Sequence, residues 1–343
     1  MSDDLNTFGQ SLRTTVVGSW PVSPQFDDRM KDFHAGRLSE EMRESLLEEV
    51  ARTAIEQQIA CGLDEFTGGE TWADSFILHF PKLLSGIEPT KDADAWEGRG
   101  TYRATGPLAA PNGLGVSSAY RRESAIAPGI SKVNLPGPSE ITMMILPMGE
   151  REALEADAVR LIRAEMEACI SAGACEVQID LPHVSMGLVD GRRETDEAVG
   201  MISSLFAGFG GIRRSIHFCY GDFGAKTWTQ NRSFQPLLAT LQGLAGVIDR
   251  VVIEFSLPEQ WEDRALLAEI PAPMEIAAGI VDVKSPAIES VDTLRTKIQD
   301  LLAHVPAERL LICPSCGFGR RDVPMAFAKT KNMVEAVRQM RAT

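Results

Sequence analysis

The chain has 343 residues, 44% hydrophobic and 24% charged, enough apolar material for one large domain or two smaller ones. Its 48 acidic against 34 basic side chains leave a formal net charge of -14, which argues against a phosphate-neutralising surface and so against a nucleic-acid partner. No run approaches the roughly 20 apolar residues of a membrane span, and "MSDDLNTFGQ" carries no leader pattern, so a cytoplasmic protein with a small-molecule substrate is expected.

Short β-rich runs alternate with amphipathic ones. "TTVVGS" (14–19) comes first, then a charged helical pattern from Ser39 to Cys61, then "LDEFTGG" (63–69). The least regular region, 92–130, reads as an insertion between the second and third strands, and "SKVNLPGP" (131–138) resumes the pattern. "REALEADAVRLIRAEMEACISAG" places Leu154, Ala158, Leu161, Ile162 and Cys169 on one helical side, with Glu165 intruding and Gly173 as the stop. "CEVQIDLP" (175–182), "RSIHFCYG" (214–221), "RVVIEFS" (250–256), "EIAAGIVDVKS" (275–285) and "RLLICPSCG" (309–317) complete eight strand runs. Eight β-units with helical intervals imply parallel strands and a TIM (β/α)8 barrel, a single domain over 1–343 with an insertion at about 92–130. A doubly wound nucleotide-binding sheet has no support, since no GxGxxG turn follows the first strand.

In such a barrel chemistry collects where strands end and βα loops begin. The polar groups there are Ser19, Glu65 and Glu70, Asp180, His217 and Cys219, Glu254, Asp282 and Lys284, and Cys313 with Cys316. His217 and Cys219 are two apart on one strand and project to the same face, while Ile216 and Phe218 face away. Glu254 ends the next strand, where a lone buried carboxylate is costly, and Cys313 and Cys316 end the last one. Histidine, cysteine and glutamate from separate strand ends suit zinc, whereas lone cysteines such as Cys169 and Cys175 read as packing. A reducing compartment makes a disulfide framework from the six cysteines improbable.

The segments "TTVVGSWP", "GGE", "VQIDLP", "IHFCYGDF", "VVIEFS", "GIVDVKSP" and "CPSCGFGRR" resemble, in order, signature segments of the catalytic C-terminal barrel of cobalamin-independent methionine synthases. The resemblance implies zinc held by His217, Cys219, Glu254 and Cys316, with Cys313 a neighbour only. It also implies homocysteine as the thiol, its carboxylate held by Val17, Gly18 and Ser19 and its ammonium by Glu70 and Asp180. Asp180 and Lys284 then become the candidate catalytic side chains.

The donor half departs from the family. Lys284 stands in "DVKSP" where the family has a proton-donating histidine, and the D-E-P-A segment becomes Asp180-Leu181-Pro182-His183. No counterpart of the family's folate-binding Arg-Cys segment or stacking tryptophan occurs around "TYRATGPLAAPNGLG", and 343 residues hold one barrel where the large members have two. The implied activity is a zinc-dependent thiol methyltransferase converting homocysteine to methionine, with methyltetrahydrofolate or a methylcorrinoid protein as donor. The alternatives are another zinc thiol alkyltransferase, such as one joining an epoxide to coenzyme M, and a non-catalytic zinc- or thiol-binding barrel.

Overall fold

The computed structural model describes residues 11–73, 79–90, 102–222 and 224–342. The N-terminal segment read for a leader, part of the expected insertion and Phe223 of "IHFCYGDF" therefore lie outside the described residues.

The chain runs β1 (Arg13–Thr14), α1 (Pro24–His34), α2 (Glu40–Cys61), β2 (Ser85–Pro89), β3 (Tyr102–Ala109), α3 (Val116–Ile126), β4 (Val133–Pro136), α4 (Pro138–Thr142), β5 (Ile145–Leu146) and α5 (Arg151–Ser171). It continues through β6 (Glu176–Asp180), α6 (Pro182–Val189), α7 (Thr195–Phe206), β7 (Arg213–Phe218), α8 (Gln235–Gly243), β8 (Arg250–Glu254), α9 (Pro258–Glu262), β9 (Glu275–Val281), α10 (Val291–Leu302), β10 (Leu310–Pro314) and α11 (Val323–Arg341). Among the described residues, seven strands form one sheet in the order β1-β10-β9-β8-β7-β6-β4, every pairing parallel. The fold is a TIM barrel.

The eighth position is where the structure departs from the expected strand count. Residues 63–69 lie between β1 and β4 without forming a regular ladder: Glu65 N–H donates to the Thr14 carbonyl (3.0 Å) and Ser131 N–H to the Phe66 carbonyl (3.0 Å). The Asp64 carboxylate takes the Thr14 N–H (2.7 Å) that a backbone partner would otherwise receive, so a side chain replaces part of the strand pairing. Of region 92–130, β3 joins β2 and β5 in a separate three-stranded sheet, while α3 packs on α2, α5 and β4. Glu165, the charge that interrupts the apolar side of α5, is buried and accepts from the backbone N–H of Leu114 and Ser117, each at 2.7 Å. It supplies the acceptor that the start of α3 lacks.

The barrel interior is layered. At its N-terminal end Arg250 is fully buried and donates to Glu65 (2.6 Å), Glu176 (3.1 Å) and Glu275 (2.8 Å), with Arg13 and Arg213 closing the network. Above it Val17, Val252, Ala277, Leu311 and Cys313 fill the centre. Outside the sheet Ile216, Phe218, Val251, Ile253, Ile276 and Ile312 pack with the helices, as the two-residue period requires. Among the described residues no helix is long and apolar enough to cross a membrane.

Candidate metal and thiol-binding site

The C-terminal strand ends open into a cavity of about 830 Å³ whose lining includes Val17, Ser19, Glu70, Asp180, His217, Cys219 and Cys316. Side chains distant in sequence meet here because parallel strands deliver their ends to one rim.

At its floor, the ligand atoms of His217, Cys219 and Cys316 lie within 4.8 Å of one another. His217 Nδ1 faces the Val252 carbonyl at 3.2 Å, so Nδ1 carries a proton and Nε2 is the nitrogen open to a metal; burial opposes the ring's charge, but Cys316 and Asp180 hold the imidazole above its usual range. That Nε2 is buried and has no hydrogen-bond partner. The Cys316 thiol is held well below its usual range by the hydrogen bond from Cys219, with His217 and Lys284 adding to the effect against burial. An orphaned imidazole nitrogen beside a ready thiolate and a second thiol is the donor set zinc takes, and bonds of about 2.0–2.3 Å fit ligand atoms this close. Cys313 is placed differently, packed in the barrel centre with its thiol pushed up to about 12 by burial.

Glu254 lies outside this group of three. Its Oε1 accepts from Lys284 Nζ at 2.6 Å and its Oε2 from the Tyr220 N–H at 3.1 Å. Burial pushes the Glu254 carboxyl up while Lys284 limits the rise, and the charge of Cys316 is close enough to be felt. Lys284 is itself buried, and Glu254 and the two thiols overcome the burial that disfavours its charge, so its ammonium is held above the usual range. The structure therefore joins two expected site residues to each other: a carboxylate read as a ligand and a lysine read as catalytic.

A second cluster sits across the cavity. The Asp180 carboxylate accepts from Gln178 Nε2 at 2.7 Å, and Lys132 Nζ, donating to Gln178 Oε1 at 2.6 Å, fixes which end of that amide faces Asp180. Asn134 Nδ2 and Gln178 Nε2 both donate to the Val17 carbonyl, at 2.8 and 3.0 Å. Glu70 occupies a left-handed backbone conformation, φ 54°, uncommon for a residue with a side chain. Gly18 makes room for it, since a Cβ there would stand 2.0 Å from Glu70 Oε1 and 2.5 Å from Asn134 Nδ2. Burial pushes the Glu70 and Asp180 carboxyls up, and the neighbouring Asp180 charge raises Glu70 further. Two such carboxylates ionise together when a cation sits between them. The Ser19 hydroxyl accepts from Gly319 N–H at 3.2 Å, which leaves its own proton free for an anion.

A family model described as "Cobalamin-independent synthase, Catalytic domain" matches residues 12–339. The chain belongs to this family. Curated relatives include the 5-methyltetrahydropteroyltriglutamate–homocysteine methyltransferases of Nitratidesulfovibrio vulgaris, 27% identical over 97% of this chain and 42% of the relative, and of Yersinia pseudotuberculosis, 26% identical over 96% and 43%. The chain thus spans less than half the length of these relatives. Among solved structures, a B12-independent methionine synthase from a Shewanella species in complex with selenomethionine superposes with a TM-score of 0.80 at 19% identity, covering 97% of this chain and 98% of that one. A methyltransferase from Methanosarcina mazei gives 0.60 at 12% identity, covering 98% and 96%. These two likenesses concern the fold.

Sequence reasoning passed over several lining residues. Asn134 was hidden inside an apolar run, as was Gln178, which stands behind Asp180, and the cavity wall carries Trp20, Trp72, Trp228 and Met186. Trp20 directly follows the Gly18-Ser19 turn, which was the available signal.

Proposed function

We propose that this chain is a zinc-dependent methyltransferase that methylates the thiol of homocysteine. The observation that carries the reading is the buried, unpartnered His217 Nε2 beside Cys219 and Cys316, in the same cavity as the paired carboxylates Glu70 and Asp180. His217, Cys219 and Cys316 would hold the metal, and Glu254, which accepts from Lys284, would be the fourth donor. When bound, zinc lowers the proton affinity of a thiol while leaving its sulfur nucleophilic.

The remaining work falls to the chain. Glu70 and Asp180 take the substrate ammonium, which relieves their mutual repulsion, and the Ser19 hydroxyl donates to the carboxylate. The aromatic wall excludes water from the path between sulfur and methyl carbon. The paired carboxylates Glu70 and Asp180 on the cavity wall suit an ammonium, which favours the amino-acid thiol over a sulfonate-bearing one. The cavity exceeds what one small amino acid fills, leaving room for a donor.

The test is methyl transfer by the zinc-loaded protein to homocysteine, comparing methyltetrahydrofolate mono- and polyglutamates with methylcobalamin, alongside X-ray absorption at the zinc edge. Methionine formation and a new sulfur ligand on adding homocysteine are expected. No methionine from any donor, with an unchanged zinc edge, would overturn the proposal.

A further inference from the structure

One wall of the cavity holds a pair of ionisable side chains that the steps above leave unused. His183, in the first turn of α6, lines the cavity and is about a quarter exposed, 24% at its side chain. Its Nδ1 lies 2.9 Å from Glu140 Oε1, and the same oxygen accepts the His183 backbone N–H at 2.9 Å. Glu140, on α4, is completely buried, and its second oxygen has no hydrogen-bond partner. It rests on Gly137, where a Cβ would come 2.4 Å from that oxygen, so the site is shaped to admit the carboxylate.

Among the described residues His183 is the one basic side chain paired with Glu140. A buried carboxylate needs hydrogen-bond donors, and the His183 backbone N–H and ring Nδ1–H bring two to one oxygen. With Nδ1 committed to Glu140, the proton available to a ligand is the one on Nε2. Among the described residues that atom has no hydrogen-bond partner, and it is not one of the buried unpartnered atoms, so it is accessible. The ring also meets Trp228 edge to face, centroids 6.0 Å apart, which fixes its plane beside a flat apolar surface. The other acids near this wall have partners of their own: Gln178 and Asn134 on Asp180, Arg321 on Asp222.

We propose that His183, positioned by Glu140, is the catalytic acid that protonates the leaving nitrogen of an amine methyl donor. This rests on the methyltransferase reading above and assigns a role which Lys284 is badly placed to fill, since its ammonium is buried against Glu254 at 2.6 Å. The need for an acid is chemical, because an amide anion is too poor a leaving group to depart from carbon. The imidazolium gives its Nε2 proton to the donor nitrogen; the substrate thiolate forms the new S–C bond; the C–N bond breaks and its electron pair stays on nitrogen. A thiolate, an imidazolium and a neutral amine donor thus become a neutral thioether, a neutral imidazole and a neutral amine. His183 recovers its proton from water at the cavity mouth.

The test uses the zinc-loaded full chain and two electrophiles, methyltetrahydrofolate triglutamate, whose nitrogen must be protonated, and methyl iodide, whose iodide leaves without a proton. His183→Gln lowers kcat with the folate at least about 100-fold, and Glu140→Gln about 10-fold. Both variants alkylate homocysteine with methyl iodide at the wild-type rate, and both keep wild-type zinc content and KM for homocysteine. Imidazole added to His183→Ala restores part of the folate reaction. Equal loss with both electrophiles would make the pair structural and overturn the proposal, as would full folate activity in His183→Gln. A wild-type protein that speeds methyl iodide alkylation but ignores the folate also overturns it, while leaving thiol activation standing. A wild-type protein that fails to speed even methyl iodide sinks the underlying function instead.

Discussion

Gly18→Ala isolates the ammonium-binding carboxylates from the rest of the site. The added Cβ would lie 2.0 Å from Glu70 Oε1 and 2.5 Å from Asn134 Nδ2, whereas real Cβ contacts stay beyond 3.0 Å. Glu70 must therefore withdraw by at least about 1 Å, and its backbone, already in the left-handed region at φ 54°, has little freedom to follow. Losing one charge-assisted hydrogen bond to the substrate ammonium costs about 1.5–3 kcal/mol, which is roughly 10- to 150-fold in affinity. None of the zinc-ligand candidates is among the close neighbours of that Cβ, so zinc content stays at the wild-type value. Displacing Asn134 from the Val17 carbonyl costs about 1 kcal/mol of stability, measurable by urea unfolding. Calorimetry with homocysteine and with 4-mercaptobutanoate, its analogue lacking the amine, provides the assay. Weakened homocysteine binding with unchanged 4-mercaptobutanoate binding is expected. An equal loss for both thiols, or homocysteine affinity within about twofold of wild type, would refute the assignment of Glu70.

Two further outcomes probe the metal floor and the barrel base. Cys316→Ser removes zinc as measured by metal analysis, while Cys313→Ser keeps it and loses about 1–2 kcal/mol for a hydroxyl buried in the apolar centre; retention by the first and loss by the second would reverse their roles. At the base, burial opposes ionisation of Glu65, but Arg250, Arg13 and Arg213 hold its carboxyl down to about 2. Because this folded-state value lies below the ordinary 4.5, the stabilisation it brings is complete above about pH 4.5 and is lost as pH falls towards 2, a contribution of about 3 kcal/mol. The stability gap between wild type and Glu65→Gln, from urea unfolding, should shrink over that window; a gap independent of pH would contradict it.

The barrel was legible because hydrophobic period and spacing are local properties. Strand runs ending in polar residues announced both parallel order and the rim where chemistry gathers, and the His217-x-Cys219 spacing declared a shared face before any partner was known. The second strand was misread for an equally local reason: "LDEFTGG" has strand composition, yet the Asp64 carboxylate captures a backbone N–H and Gly68, Gly69 and the left-handed Glu70 end the extension. Glu165 looked like a flaw in α5 and proved to be an acceptor for the start of α3, a contact made across 48 residues.

What only the tertiary structure decided is pairing. Sequence put Glu254 and Lys284 at neighbouring strand ends, but their 2.6 Å contact depends on the register of β8 against β9 and on the loop after it. It likewise placed His183 beside the Asp180 segment with nothing to suggest Glu140, because the pair forms between α4 and α6, whose packing follows from the barrel's curvature. Composition and period determine which faces are buried and which residues reach the rim. Which charge meets which is set by distances that exist only once the sheet has closed, and among buried side chains those distances decide the chemistry.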